Sequence, residues 1–308
     1  MNRTALDQYE GLVTDALKSC SAKLRKSFKT AFIQLMILYM VLPRKINFTQ
    51  MGRYSDNSEQ RFRQLFEREF DWIQFNLFLM RQRFGESVRK AIAIDASHIS
   101  KSGKKTPYIG KFWSECASAM KRGLEILGIG IIDIDSRDCM MLRAEQTPDK
   151  AYLEKQGEDY NLVDWYLDVL RKYKDKLLRI TRYVVADAWF SKAKFVGEAC
   201  LLGFHVISRL RDDAALWYAH DGVRTGKRGR PRIKGEKIVF EKLDLQRCEI
   251  LDIEGGKAYS VKAYSKAMKR NIKVVVHYPG SGGHKIHFST DLDMSAKDII
   301  EYYHTVPD

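Results

Sequence analysis

Only six prolines and twenty glycines interrupt the 308 residues, and hydrophobic residues make up 45% of them, so the chain has the composition of neither a fibrous repeat nor a disordered segment. Cysteine is scarce. Cys20, Cys116, Cys139, Cys200 and Cys248 are odd in number, far apart and form no Cys-x-x-Cys pair, which argues against a disulfide framework or a zinc site and suits a reducing cytoplasm. Long apolar runs are missing too. The most apolar stretch, residues 31–43, is interrupted by Gln34 and falls short of the ~20 residues that cross a bilayer, so it is expected as a buried helix. The first ten residues are polar and hold no secretory signal. The expected place is the cytoplasm, with no membrane role. Acidic residues are the minority: 39 Asp and Glu stand against 53 Lys and Arg, a formal charge of +14 that favours a polyanionic partner, nucleic acid first.

What is present falls into four stretches. Residues 1–85 read as helical, with a helix over 28–42 stopped by Pro43, a short one around 49–52, a turn at Tyr54-Ser55-Asp56-Asn57, and another from Ser58 that Asn57 caps. In that last helix Phe62, Leu65, Phe66 and Phe70 share the inward face and leave Arg61, Arg63 and Arg68 outside. Two readings stay open for it. It is the second helix of a helix-turn-helix, with Arg and Gln toward DNA, or an amphipathic helix with a solvated basic face.

Residues 86–212 change character. Apolar runs at 91–95, 124–134 and 139–144 are followed by a helix on Leu162, Tyr166, Val169, Leu170 and Tyr173, a strand over 183–187, a helix over 191–202 and a strand over 204–208. The order βββαβαβ is that of an α/β domain. Over 224–237 seven of fourteen residues are basic, which predicts an exposed loop. Within 213–290 short strands are then expected at 238–240, 248–252, 258–264, 272–277 and 285–288, a mostly antiparallel β insertion. Residues 291–308 open a last helix at Ser295, paired with Asp298 in a capping box.

Asp95 and Asp187 each close an apolar strand. Carboxylates at the ends of adjacent buried strands can hold two divalent metal ions about 3.5–4 Å apart, which stabilise both oxygens of an in-line phosphoryl displacement. Mg2+, or Mn2+, suits such an all-oxygen site. His98, three residues past Asp95, reads as an ordinary surface or hydrogen-bonded histidine rather than a ligand. Asp133 and Asp135 read as solvated, and His277, His284 and His287 lack the carboxylate or cysteine partners of a metal site. Arg228-Gly229-Arg230-Pro231 has the form of a minor-groove-binding segment, although inside a domain phosphate contact by Arg228, Arg230 and Arg232 is the favoured use.

The segments Ile94-Asp95-Ala96-Ser97 to Lys104-Lys105-Thr106-Pro107, Phe112-Trp113 to Lys121-Arg122-Gly123-Leu124-Glu125, Gln146-Thr147-Pro148 and Val185-Ala186-Asp187-Ala188-Trp189-Phe190-Ser191-Lys192 resemble the DDE transposases of bacterial insertion sequences. They are similar to the group whose ribonuclease-H-like domain is interrupted by a β-rich insertion. The resemblance extends through Gly203-Phe204-His205 and the Gly-Lys-Arg-Gly-Arg-Pro loop to most of the chain. It implies a ribonuclease-H-like core, an N-terminal region that helps bind transposon ends, and metal-dependent cleavage and joining of double-stranded DNA by a homo-oligomer. It also implies that Asp95 and Asp187 are the first two catalytic aspartates and metal ligands, and that Lys104, Lys105, Lys121, Arg122 and Lys192 lie on DNA. The family draws a third carboxylate, a Glu, from its last helix in the pattern Tyr-x2-Arg-x3-Glu-x6-Lys. Aligned on Tyr303, the Arg position holds Val306 and the Glu falls two residues past Asp308. The chain therefore reads as C-terminally truncated, with Glu301 as the fallback ligand. The alternative function is a non-catalytic DNA-binding fragment that occupies transposon ends; an ordinary nuclease of the same fold would not need the long insertion.

Overall fold

The computed structural model describes residues 4–20, 23–43, 46–85, 88–103, 105–220, 233–253, 256–279 and 283–305. The chain divides into two compact units, Met1–Glu86 and Ser87–Asp308.

The first unit is helical: α1 (Ala5–Ser19), α2 (Lys26–Val41), α3 (Phe48–Arg53), α4 (Glu59–Phe66) and α5 (Trp72–Phe84). Its core joins Val13 and Leu17 of α1 to Phe28, Phe32 and Leu35 of α2, Phe62 of α4 and Phe75 of α5. The apolar helix α2 is buried on one side only. Tyr39, Met40 and Val41 at its end are 46%, 62% and 57% exposed, because a helix presents only part of its circumference to a five-helix core. The α3–α4 turn is tight, and a Cβ on Gly52 would lie 2.8 Å from the Glu59 nitrogen. Ser58, not Asn57, caps α4: its Oγ accepts from the Arg61 N–H at 3.2 Å, while the Asn57 amide is turned to Gln34. Since α4 ends at Phe66, Phe70 lies beyond it and joins a ring cluster with Phe28, Phe32, Trp72 and Phe75, whereas Phe66 is 51% exposed.

The second unit is built on β1 (Lys90–Ser100), β2 (Gly110–Ser114), β3 (Ala119–Asp133), β4 (Asp138–Gln146), α6 (Lys150–Gln156), α7 (Leu162–Leu178), β5 (Tyr183–Ala186), α8 (Ala193–Leu201) and β6 (His205–Leu210). There follow β7 (Leu216–Ala219), β8 (Lys234–Lys237), β9 (Glu249–Ile253), β10 (Gly256–Ser265), β11 (Arg270–Pro279), β12 (Lys285–Ser289) and α9 (Ala296–His304). One sheet takes in every described strand, in the order β2-β3-β1-β5-β6-β12-β11-β10-β7-β8, with β4 also on β3 and β9 also on β10. β3 pairs antiparallel with β1 and β4, whereas β5 runs parallel to both β1 and β6. This succession, with α7 and α8 as crossovers, is the ribonuclease-H-like arrangement expected from the βββαβαβ order, with β2 as an added hairpin strand. The strands of 213–290 extend the same sheet, because β12 hydrogen-bonds to β6.

Three expectations are corrected here. Residues 234–237, expected in a loop, form β8 against β7, where the Lys234 ammonium lies 4.3 Å from the Trp217 ring centre; residues 238–240 instead lead into a short turn, Phe240–Lys242. Asp133 is not solvated. It is 1% exposed, and its Oδ1 accepts from the N–H groups of Asp135 and Ser136, which turns the chain from β3 toward β4. Asp135 pairs with Arg89 at 2.9 Å. The same guanidinium holds Asp298 at 2.6 Å and Glu301 and so ties α9, capped by Ser295 as expected, to the start of β1. Ile299 and Tyr302 of α9 pack with Ala91, Val185, Ile207 and Val275 of the sheet.

Candidate active site

The β1–β5 ladder fixes the two strand-terminal carboxylates. Ile92, Ala93 and Ile94 pair with Val184, Val185 and Ala186, so the next residue on each strand is an aspartate, Asp95 and Asp187. Parallel neighbours in register carry side chains on the same face. Buried Ile92, Ile94, Val184 and Val185 hold the strands, and the aspartates stand where the ladder stops. Asp187 also caps the short turn Ala188–Phe190, its Oδ1 accepting from the Trp189 N–H at 3.0 Å. Its carbonyl oxygen accepts from the Ser208 hydroxyl at 2.8 Å, which is itself bonded to Ser191. Ser97 Oγ donates to Asp95 at 3.3 Å.

Burial, and next the Asp95 charge, raise the Asp187 carboxyl above the usual carboxylate range, opposed by the N–H groups of Phe190 and Trp189. Two like charges thus sit close enough to feel each other, which is the electrostatic setting a cation relieves. The Lys192 ammonium lies 3.1 Å from the Trp189 ring centre; burial lowers its pKa, opposed by the charge of Asp187.

These groups open into a cavity of about 710 Å³ bordered also by His98, Trp113, Glu125, Tyr166 and Trp189. Glu125 stands opposite His98 in the β1–β3 register. It is 6% exposed and accepts from the Tyr166 hydroxyl at 2.5 Å; burial raises its carboxyl, opposed by that bond. Sequence reading passed over Glu125. Its signal is parity: Glu125, Leu127, Ile129 and Ile131 alternate along β3, and all are buried. Glu301, the fallback ligand, is not here. Arg89 holds it at the start of β1, about 20 Å back along the strand at ~3.3 Å per residue. Among the described residues no group of three or more His, Cys, Asp and Glu side chains forms a metal cage.

The expected DNA-contacting residues fall on both units. Arg63 is engaged by Glu59, its Nε at 3.0 Å, and its guanidinium lies 4.9 Å from the Phe48 ring centre. Arg61 is half-buried and Arg68 is exposed. Lys105, Lys121 and Arg122 are exposed, Arg122 donating to the Gly103 carbonyl at 2.9 Å, and Lys192 stands beside Asp187. Lys104, Arg228, Arg230 and Arg232 lie outside the described residues.

Residues 34–270 match the family profile described as DDE superfamily endonuclease. No curated protein sequence matches the chain. Among solved structures, the chain is similar to a piggyBac transposase determined by cryo-EM in a synaptic complex with hairpin DNA, at 11% identity and a TM-score of 0.36. The alignment covers 99% of this chain and 57% of that one, so this chain spans little more than half of the longer protein.

Proposed function

The chain belongs to the DDE superfamily of endonucleases, and from that premise we propose that it acts on DNA as a transposase does, cutting and joining strands at transposon ends with Asp95 and Asp187 as catalytic metal ligands. The observation that carries this reading is the register of β1 and β5, which puts a carboxylate from each strand at the same level at the mouth of one cavity. Two aspartates whose charges disfavour each other fit a divalent cation with oxygen preference, Mg2+ or Mn2+. When bound, such ions supply charge stabilisation to the attacking and leaving oxygens of phosphoryl transfer.

The chain's own residues do the rest. The Ser208 and Ser191 hydroxyls fix the Asp187 peptide, the Trp189 N–H orients its carboxylate, and Ser97 steadies Asp95. Lys192, beside Asp187, attracts a phosphodiester toward the carboxylates, while Lys105, Lys121 and Arg122 hold the flanking backbone. The polar faces of α4 and the segment with Arg228, Arg230 and Arg232 add phosphate contacts, and a homo-oligomer pairs two DNA ends.

The non-catalytic reading has one observation in its favour: both carboxylates of α9, Asp298 and Glu301, are taken by Arg89 away from the cavity. One experiment tests both readings. Asp95→Asn and Asp187→Asn keep size, and the amide oxygen can still cap the Ala188–Phe190 turn, so both variants should fold. Mn2+ should raise the melting temperature of the parent protein and not of the variants, since a ligand that binds only the folded state stabilises it. Metal-dependent nicking of end-bearing DNA should fall by about 10²–10³-fold, the scale of losing one preorganised electrostatic contact. Metal-induced stabilisation that survives in both variants would remove the aspartates from the site. Stabilisation and DNA binding without nicking in the parent would favour the non-catalytic reading.

A further inference from the structure

The β2–β3 hairpin carries a feature that the carboxylate chemistry does not need. Its register pairs Lys111 with Arg122, Phe112 with Lys121, and Trp113 with Met120. Strand alternation therefore puts Lys111, Trp113, Met120 and Arg122 on one face and Phe112 with Ser114 on the other. On the second face Phe112 and Ser114 are buried, at 7% and 8% exposure, while Lys121 opposite Phe112 is exposed. The first is open: Trp113 is 55% and Met120 57% exposed, although both border the cavity that holds Asp95 and Asp187. A large indole left half in water beside a polarizable thioether, with the paired cations Lys111 and Arg122 at the neighbouring level of the same face, is an unfilled contact surface rather than an accident of packing.

Charge selects the occupant. From Lys101 to Arg122 the chain holds six basic residues and a single acidic one, Glu115. Cations that track a backbone, interleaved with rings that accept a base, make up the surface that unpaired nucleic acid requires. A duplex cannot use it in the same way, because each base in the stack has its faces covered by its neighbours. We propose that the β2–β3 hairpin is a strand-guiding ribbon: Trp113 and Met120 stack on the bases of an unpaired DNA strand while Lys111 and Arg122 hold its phosphates, leading that strand into the Asp95/Asp187 cavity. Trp189, 39% exposed and with the Lys192 ammonium against its ring, lines the same cavity.

The inference rests on the DNA-strand reading above, and its test separates the two. Fluorescently labelled duplex DNA is prepared blunt and with a single-stranded 3′ tail, and anisotropy is read in chelator with the full chain, Trp113→Ala and Trp113→Phe. The parent should prefer tailed DNA. Trp113→Ala should lose about tenfold or more on tailed DNA, the scale of one stacked base, with little change on blunt duplex, and Trp113→Phe should recover most of the loss. Equal tailed-DNA affinity in Trp113→Ala and parent would overturn the ribbon and leave the endonuclease reading standing. So would sedimentation showing that Trp113→Ala or Met120→Ala splits an oligomer while DNA affinity holds, since the hairpin would then be a contact between copies. A parent that binds neither DNA would overturn the endonuclease reading, and the ribbon with it.

Discussion

His287 shows what one buried side chain costs at low pH. The imidazole is 1% exposed on β12, with its ring centre 4.7 Å from that of Tyr303 and 5.3 Å from that of His304. Burial first, and then the charges of His304, Arg209, His277 and Lys285, hold its pKa down at about 3 against an ordinary value of 6.5. Above 6.5 the ring is neutral in both folded and unfolded chains. As pH falls from there toward 3 the unfolded chain takes a proton that the fold refuses, so this group removes about 1.4 kcal/mol of stability per pH unit. Thermal melts at pH 7.5 and 5 should show His287→Leu with a smaller acid-induced drop than the parent; an unchanged drop would mean that the ring finds a proton acceptor in the fold. At this scale the sequence is legible unevenly. Asp95 and Asp187 stand out because an apolar run ends on each, whereas the Ile-Asp-Ile-Asp pattern around Asp133 looks like alternation toward solvent, although Asp133 is buried and bonds the backbone of an exposed turn.

Among the elements, the β1–β3 pair contributes Asp95, His98, Met120 and Glu125 to the border of the cavity. Gly123 pairs with Ser100 across it, and a Cβ there would collide with the Ile99 carbonyl oxygen and the Nε2 of His98. Gly123→Ala should therefore cost about 1–3 kcal/mol, the usual range for overpacking, read as a lower denaturant midpoint at unchanged slope. A variant as stable as the parent would show that the β1 backbone at Ile99 and the His98 ring both shift at no cost. β1, β3, β5 and α7 are visible in the sequence because their apolar periods are long or continuous. β2 is not, since Phe112 and Trp113 stand side by side and hide the alternation that the register reveals. β8 is hidden for another reason: its lysines read as loop, yet the Lys234 ammonium packs on Trp217.

For the whole molecule, the charge of +14 sets the response to salt. If six or more phosphates are neutralised, DNA affinity should fall by about 10³-fold or more between roughly 50 and 200 mM salt. A flat profile in a titration of binding against salt would remove the polyanionic partner. Composition discloses that charge at once, whereas the continuity of the sheet is invisible to any local pattern, because β6 finds β12 only across the whole β insertion. That pairing bears on how the chain is made. At ~5–20 residues per second, β6 leaves the ribosome several seconds before β12 can cover it. Throughout that interval the nascent sheet ends in an open edge with hydrophobic Val206 and Ile207 on it, and a second growing chain on the same message offers a matching strand. Slowing translation across residues 211–284 would lengthen that exposure, and a chaperone that reads bare strand edges would find its substrate there.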